Sequence, residues 1–497
     1  MKYNMMLLCD FYKVFHRETY HKDMTMMYST WTPRSNKYFP EADKVVWFGL
    51  QGFVKWINDE FKENFFDRKI DAIIDEYELY IRHTFNENAT GDHLRELHKL
   101  GYLPLKICAL PEGTRVPFRV PCATVTNTDP RFAWLTNWLE TLWSCSMWLP
   151  TTSATTAYTF RQIIEEYVDK TSDKPFWKRV GCGDFSYRGM TSLDSATTSA
   201  AAFLTSFTKT STIPSIQYLC EYYNADVTKE DIGSWSASVE HSCTTSNFAV
   251  DGNEEDFFVK MCTDICKNRP FSFVADSYDY FNFLDVIVRK NKDIVTAHGA
   301  VRIRPDSGDP VDIICGTKEN VDTNSTLEEL GTLRILDDIF GHTVNSKGYK
   351  VLNGGIGIVY GDAITLDRCK TICAKMEKQG WAIENVIFGV GSYSLQYRTR
   401  DSQGWAYKAT YGEINGEPIM IFKDPKTDRV AGEAMKKSQR GMVYVYTDTD
   451  GEIKFKDGYT RSNIPDGNML EVVYENGILV RNESLQQIRN RLHNNKF

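Results

Sequence analysis

The segment Ile303-Arg304-Pro305-Asp306-Ser307-Gly308-Asp309-Pro310 sets a guanidinium and a carboxylate two residues apart, just beyond a short apolar run. A guanidinium fork can grip diphosphate oxygens, and the carboxylate can accept from sugar hydroxyls or hold Mg²⁺ through water. Taken alone, the same pair serves equally well as a structural Arg–Asp contact. Another apolar run ends in Gly389-Val390-Gly391-Ser392, whose backbone N–H groups could cradle a phosphate. It is not a dinucleotide fingerprint, because Ser394 stands where the third glycine belongs. Arg400, nine residues past Gly391, offers positive charge for a terminal phosphate.

Phe185 precedes Arg188 by three residues, so one could stack on a planar base while the other meets an anion. A core aromatic beside a surface arginine is the commoner use of that spacing. His241, within Glu240-His241-Ser242, is flanked by small polar residues rather than an apolar stripe, although a lone histidine is more often structural. Asp10, Tyr12, Lys13 and His16 put polar and aromatic groups on an exposed-looking segment near the start.

These residues need strand ends to hold them. Phe271 to Ala275 leads into Asp276, Val301 to Arg304 into Asp306, Gly357 to Tyr360 into Gly361-Asp362, and Val386 to Phe388 into Gly389. Each reads as a strand followed by a polar loop. After the third, Leu366, Cys369, Ile372, Cys373 and Met376 form one apolar helical stripe, with Thr365 as N-cap and Gly380 as the stop. Repeated strand, loop and helix predict a parallel sheet, and functional residues at several strand ends predict a barrel or partial barrel. Residues 1 to about 160 read as mostly helices around a few short strands, with amphipathic stretches in Phe48 to Phe61 and Trp134 to Trp148. The tail returns to hairpin alternation in Met442 to Tyr446 and Ile453 to Phe455, with Asp450-Gly451 as the turn. Cys315 to Ser325 reads as a polar surface insertion.

At 497 residues the chain suits more than one domain. Its net charge of -8 opposes a broad grip on nucleic acid, so any anion site must be local. One basic cluster, Lys408, Lys423, Lys436, Lys437 and Arg440, falls late in the chain, where a solvated face is the plainer use. The twelve cysteines contain no CxxC pair, and the pairs Cys262/Cys266 and Cys369/Cys373 fit one apolar helix face better than a zinc site. Reduced thiols and the lack of a signal-like or spanning apolar segment predict a cytoplasmic protein that does not enter membranes.

Taken in order, these segments resemble the nicotinamide phosphoribosyltransferase family, from about Asp10 to about residue 480. Asn127-Thr128-Asp129-Pro130, Ala275-Asp276-Ser277-Tyr278-Asp279, Asn345-Ser346-Lys347-Gly348-Tyr349-Lys350 and Phe422-Lys423-Asp424-Pro425 strengthen the resemblance. It implies an α/β fold: an irregular (β/α) barrel over 166-404 carrying the catalytic residues, and a second α/β domain built from both chain ends, 1-165 and 405-497. It also implies a homodimer with shared active sites, and transfer of phosphoribosyl from phosphoribosyl pyrophosphate to nicotinamide.

By the same resemblance, Phe185 and the second subunit's Tyr12 would sandwich the pyridine ring, and Arg188 and Arg304 would hold the diphosphate. Asp306 and Asp362, beside Gly361, would meet the ribose hydroxyls. Gly391, Ser392 and Arg400 would seat the 5′-phosphate, with Lys408 and Lys423 nearby. His241 would accept a phosphoryl group from ATP, with Asp276 orienting it, and Mg²⁺ would arrive with the pyrophosphate rather than on a dedicated metal site. Where the family carries an aspartate that accepts from the carboxamide, this chain has Ser211, which leaves nicotinate, or both bases, as the alternative substrate. Ala406 replaces a family serine near the phosphate. A non-catalytic nucleotide-binding signalling relative is the reading from another class.

Overall fold

The computed structural model describes residues 3–425 and 438–497. The chain divides into two compact units, one of Met1–Thr155, Tyr218–Ala225 and Arg398–Phe497, the other of Thr156–Gln217 and Asp226–Tyr397. The division thus falls earlier than the expected 165 and 404, and Tyr218–Ala225 joins the chain ends instead of the barrel. Hydrogen bonds explain that membership. Gln51 Nε2 donates to the Tyr222 carbonyl at 2.6 Å, Leu485 N–H to the Tyr223 carbonyl at 2.9 Å, and the Tyr223 hydroxyl to buried Glu112 at 3.0 Å.

The first unit is built on a seven-stranded antiparallel sheet to which both chain ends contribute. Met24–Thr32 pairs with Ala406–Ile414 on one side and with Ala123–Asn127 on the other. The pairing stacks Trp31 on Trp405, ring centroids 5.0 Å apart and planes within 9°, and both are essentially fully buried. Large aromatic area removed from water at the junction of the two ends is what makes this unit cohere. The predicted hairpin spans Met442–Thr447 and Ile453–Tyr459, with Gly451 at positive φ in its turn.

The second unit holds six parallel strands: β1 Cys182–Asp184, β2 Ala237–Ser238, β3 Phe271–Val274, β4 Val301–Arg304, β5 Ile356–Tyr360 and β6 Val386–Val390. Their spatial order is β1-β6-β5-β4-β3-β2. Isolated parallel bridges, Asp184 to Thr210 and Lys209 to Ser234, lead from edge strand β1 toward edge strand β2, so the sheet curls into an irregular barrel. Strand faces alternate: Phe271, Phe273, Val301, Ile303, Ile358 and Phe388 are fully buried against the surrounding helices. The helix after β5 spans Leu366–Lys378 and buries the five stripe residues named from the sequence. Thr365 accepts from the Arg368 N–H, and Gly380 has a φ of 77° just past the end. Among the described residues no helix is long and apolar enough to cross a membrane.

Candidate active site

The carboxyl ends of β3 and β4 bring together a histidine, two aspartates and an arginine. His241 opens the helix His241–Asp251, and its Nε2 lies 3.0 Å from Asp276 Oδ1, just past β3. The His241 side chain is 45% exposed and that of Asp276 5%, so the ring faces outward while the carboxylate is held from behind. Asp276 Oδ2 accepts the Asp306 N–H at 3.0 Å and the Ser307 hydroxyl at 2.6 Å. These contacts hold both oxygens of one carboxylate and fix its plane. The Tyr360 hydroxyl donates to the Ser307 and Gly308 carbonyls, both at 2.9 Å, and Gly308 turns the chain at a φ of 87°. The Arg304 to Asp309 loop is therefore tied to both β3 and β5.

Arg304 ends β4. Burial pulls its guanidinium below its usual pKa against the pull of Asp306 and Asp276, and its Nε is buried with no hydrogen-bond partner among the described residues. A buried donor without an acceptor is costly, and an anion over this strand end would supply one. Asp306 is pushed up by burial, a shift opposed by Arg304 and increased by neighbouring Asp276 and Asp362. Arg188, exposed on the short turn Tyr187–Gly189, also acts electrostatically on Arg304.

Phe185 stands at the end of β1, where its N–H donates to the Val390 carbonyl at 2.9 Å. Its ring lies over two glycines: a Cβ on Gly361 or on Gly389 would come within 2.6 Å of ring carbons. Asp184 beside it is fully buried, accepting from Ser186, Thr210 and Thr212. The Ser211 N–H and hydroxyl both donate to the Asp184 carbonyl, at 2.9 and 3.0 Å. With its proton so used, Ser211 Oγ offers lone pairs only.

Gly391 precedes the short helix Ser392–Gln396. Ser392 fits because Gly189 opposes it: a Cβ at 189 would sit 2.0 Å from Ser392 Oγ. Asp362 is exposed after β5.

The other expected site residues, Tyr12, Arg400, Lys408 and Lys423, lie in the first unit. Arg400 is thus grouped with Tyr12 rather than with the barrel residues Gly391 and Ser392, since the chain re-enters the first unit at Arg398. Tyr12, Glu140, Trp148 and Arg400 are among the residues lining a cavity of about 250 Å³. Lys13 is not exposed as the sequence led us to expect: its ammonium is buried against Glu140 Oε2, while Lys408 lies 3.8 Å from Oε1 of the same carboxylate. Burial lowers the Lys408 pKa, Glu140 opposes that shift, and Arg34, Lys13 and Arg400 add to it. Lys423 is exposed, its backbone N–H bonded to Ser438 Oγ at 2.9 Å. Lys436 and Lys437 fall outside the described residues.

Four contributors escaped the sequence reading. Trp235 stands edge-on to Phe185 with ring centroids 4.8 Å apart, Ser307 holds Asp276, and Glu140 and Arg34 join the cationic cluster. Glu140 falls in the helical stretch Trp134 to Trp148 and Ser307 in the polar loop after Arg304, but neither position marked its own role, and Trp235 and Arg34 lie on no periodic pattern. Among the described residues, no group of three or more His, Cys, Asp or Glu side chains could hold a metal ion.

A family model described as the nicotinate phosphoribosyltransferase (NAPRTase) family matches residues 180–475. The nicotinamide phosphoribosyltransferase of Acinetobacter baylyi is 38% identical over 97% of this chain and 96% of its own length. That of Mycoplasma pneumoniae is 32% identical over 85% of this chain and 92% of its own. Among solved structures, the nicotinate-nucleotide pyrophosphorylase from Pyrococcus furiosus matches with a TM-score of 0.56 at 14% identity, covering 99% of this chain and 95% of that one. The human nicotinic acid phosphoribosyltransferase matches at 0.54 and 16%, covering 98% and 93%. At such identities the two structures support the fold alone, and they agree with an α/β barrel. With a family model matching more than half of the chain and a relative 38% identical along nearly all of it, the chain belongs to the nicotinate phosphoribosyltransferase (NAPRTase) family.

Proposed function

We propose that the chain is a nicotinamide phosphoribosyltransferase, moving the phosphoribosyl group of phosphoribosyl pyrophosphate onto nicotinamide and releasing pyrophosphate in NAD salvage. The observation that carries the chemistry is the His241–Asp276 contact of 3.0 Å, set beside Arg304 and Asp306 at the carboxyl end of the barrel. Positive charge develops at ribose C1 while negative charge develops on the leaving diphosphate, and Arg304 with Arg188 would stabilise the latter. Asp306 and Asp362 would receive the ribose hydroxyls. Phe185 would present its ring to the base, which favours the pyridinium cation that forms.

Gly391 and Ser392 would offer backbone N–H groups to the 5′-phosphate. Mg²⁺ fits as the diphosphate's companion, held mainly by phosphate oxygens with Asp306 as a protein carboxylate, and it would neutralise leaving-group charge. ATP would donate its phosphoryl group to His241. A homodimer in which a second copy supplies Tyr12 belongs to the same reading. Arg400 lines the same cavity as Tyr12, and Lys408 shares Glu140 with Lys13, so the copy that brings the aromatic ring brings those cations too. Twelve free cysteines support a reducing, cytoplasmic setting.

Ser211 favours the amide over the acid. An oxygen whose proton is committed to the Asp184 carbonyl can accept from a carboxamide NH₂, whereas a carboxylate there would face lone pairs. The difference is about 1–3 kcal/mol, or roughly tenfold to a hundredfold in kcat/KM. Incubation with phosphoribosyl pyrophosphate, Mg²⁺ and each base in turn, with the nucleotide identified by mass, tests the assignment. Nicotinamide mononucleotide as the favoured product supports it, and the acid nucleotide as the favoured product overturns the choice of base.

A further inference from the structure

The inner face of the barrel carries a second aromatic ring that the proposed chemistry does not use. Partners in register on this face are Gly183 with Gly389, and, one to the next, Ser238, Ser272, Arg302 and Gly357. A Cβ on Gly183 would come within 2.5 Å of the six-membered ring of Trp235, as one on Gly389 would strike Phe185 at 2.6 Å. Glycines on adjacent strands thus make room for two rings that meet edge-on, at 78°.

The indole is pinned. Its Nε1 donates to Ser238 Oγ at 2.8 Å, and the Ser238 and Ser272 hydroxyls lie 2.7 Å apart, which ties the ring to both β2 and β3. On the same face Arg302, in register with Ser272, donates from Nη1 to the Val301 and Gly355 carbonyls, at 3.0 and 2.9 Å, and its side chain lies where Gly357 has no Cβ. Arg304 stands two residues further along β4, one layer of side chains nearer the carboxyl end, because alternate residues of a strand share a face. Below the candidate site the inner face thus carries an indole beside Gly183 and a guanidinium beside Gly357.

We propose that Trp235 is a specificity-determining residue, its indole closing the space beside Phe185 so that the base site admits one six-membered ring with a small substituent. The inference rests on the reading of Phe185 as the base platform. A hydrogen-bonded ring is harder to displace than one held by packing alone, so the limit on size is a stiff one.

Equilibrium binding of nicotinamide and of the bicyclic quinoline-3-carboxamide to the full chain, by calorimetry, tests this in the parent, Trp235→Ala and Trp235→Phe, with pyrophosphate release followed in parallel. The expected result is a bicyclic-to-monocyclic affinity ratio raised at least tenfold by Trp235→Ala and about threefold by Trp235→Phe. If the alanine variant fails to fold, the phenylalanine variant carries the test. An unchanged ratio in the folded variants overturns the proposal. A parent that binds both bases but releases no pyrophosphate with either overturns the catalytic reading instead, while the affinity ratio still judges Trp235.

Discussion

His241 and Asp276 are joined by one hydrogen bond, Nε2 to Oδ1 at 3.0 Å, that links the first residue of a helix to the loop just past a barrel strand. With Nε2 donating to Asp276 Oδ1, the lone pair of the ring falls on Nδ1. A phosphoryl group should therefore be found on Nδ1 after incubation with ATP, as read by phosphorus NMR of the denatured protein; phosphate on Nε2 would contradict the assigned geometry.

Asp276→Asn keeps the shape but weakens the hold on His241 and on the Asp306–Ser307 loop. Loss of one charge-assisted bond corresponds to about 1.5–3 kcal/mol, so the ATP-coupled rate should fall roughly tenfold to a hundredfold. A rate equal to the parent's would show that Asp276 does not orient the ring.

Arg304→Ala should lower kcat/KM by roughly a hundredfold to a thousandfold with or without ATP, if the buried guanidinium serves the leaving diphosphate as proposed rather than the histidine. Arg304→Lys keeps the charge but not the fork and should recover only part of the loss. His241→Ala, by contrast, should lose the ATP-coupled component and keep a basal rate. Steady-state kinetics of the three variants separate the roles, and identical profiles for Arg304→Ala and His241→Ala would dissolve the distinction.

Gly389→Ala puts a methyl group within 2.6 Å of the Phe185 ring and 2.9 Å of the Gly361 Cα. Overpacking of this kind costs about 1–3 kcal/mol, and here it displaces the Phe185 ring proposed to carry the base. KM for the base should rise several-fold more than KM for phosphoribosyl pyrophosphate. Equal effects on both would place Phe185 away from the base.

The element pattern around the site was legible because it is periodic. The helix Leu366–Lys378 has its stripe, cap and stop in the order the residues announce, and the four central barrel strands are apolar runs closed by polar loops. What the residues did not reveal is the part made by single contacts. Thr210 and Ser234 complete the curl through isolated bridges, too short for any alternating pattern. Trp235 lies between two serines, with no apolar neighbour to mark a strand. Lys13 looked like a surface lysine, since its partner Glu140 is far along the chain. The Arg304–Asp306 pair was visible as chemistry from the start, whereas the pairing of His241 with Asp276 depends on two strand ends meeting in space and entered only through the family resemblance.

Glu112 gives the first unit a pH-dependent stability. Burial pushes its carboxyl up to about 7, although it accepts from the Gly49 and Gln51 N–H groups and the Tyr223 hydroxyl. The folded state therefore holds a proton that the unfolded chain releases near 4.5, so this contribution is fully present below that pH and is lost as pH rises toward 7. The full loss amounts to about 3 kcal/mol. Thermal melts from pH 5 to pH 8 should fall more steeply for the parent than for Glu112→Gln, which cannot ionise; parallel curves would contradict this.

Pyrophosphate release from phosphoribosyl pyrophosphate and Mg²⁺, with nicotinamide and nicotinate side by side and with and without ATP, tests the central claim most directly when the parent is run against His241→Ala. Nicotinamide should be preferred by roughly tenfold or more, ATP should accelerate the parent, and ATP should leave His241→Ala unaffected. Preference for nicotinate, or ATP stimulation that survives the loss of His241, would contradict that claim.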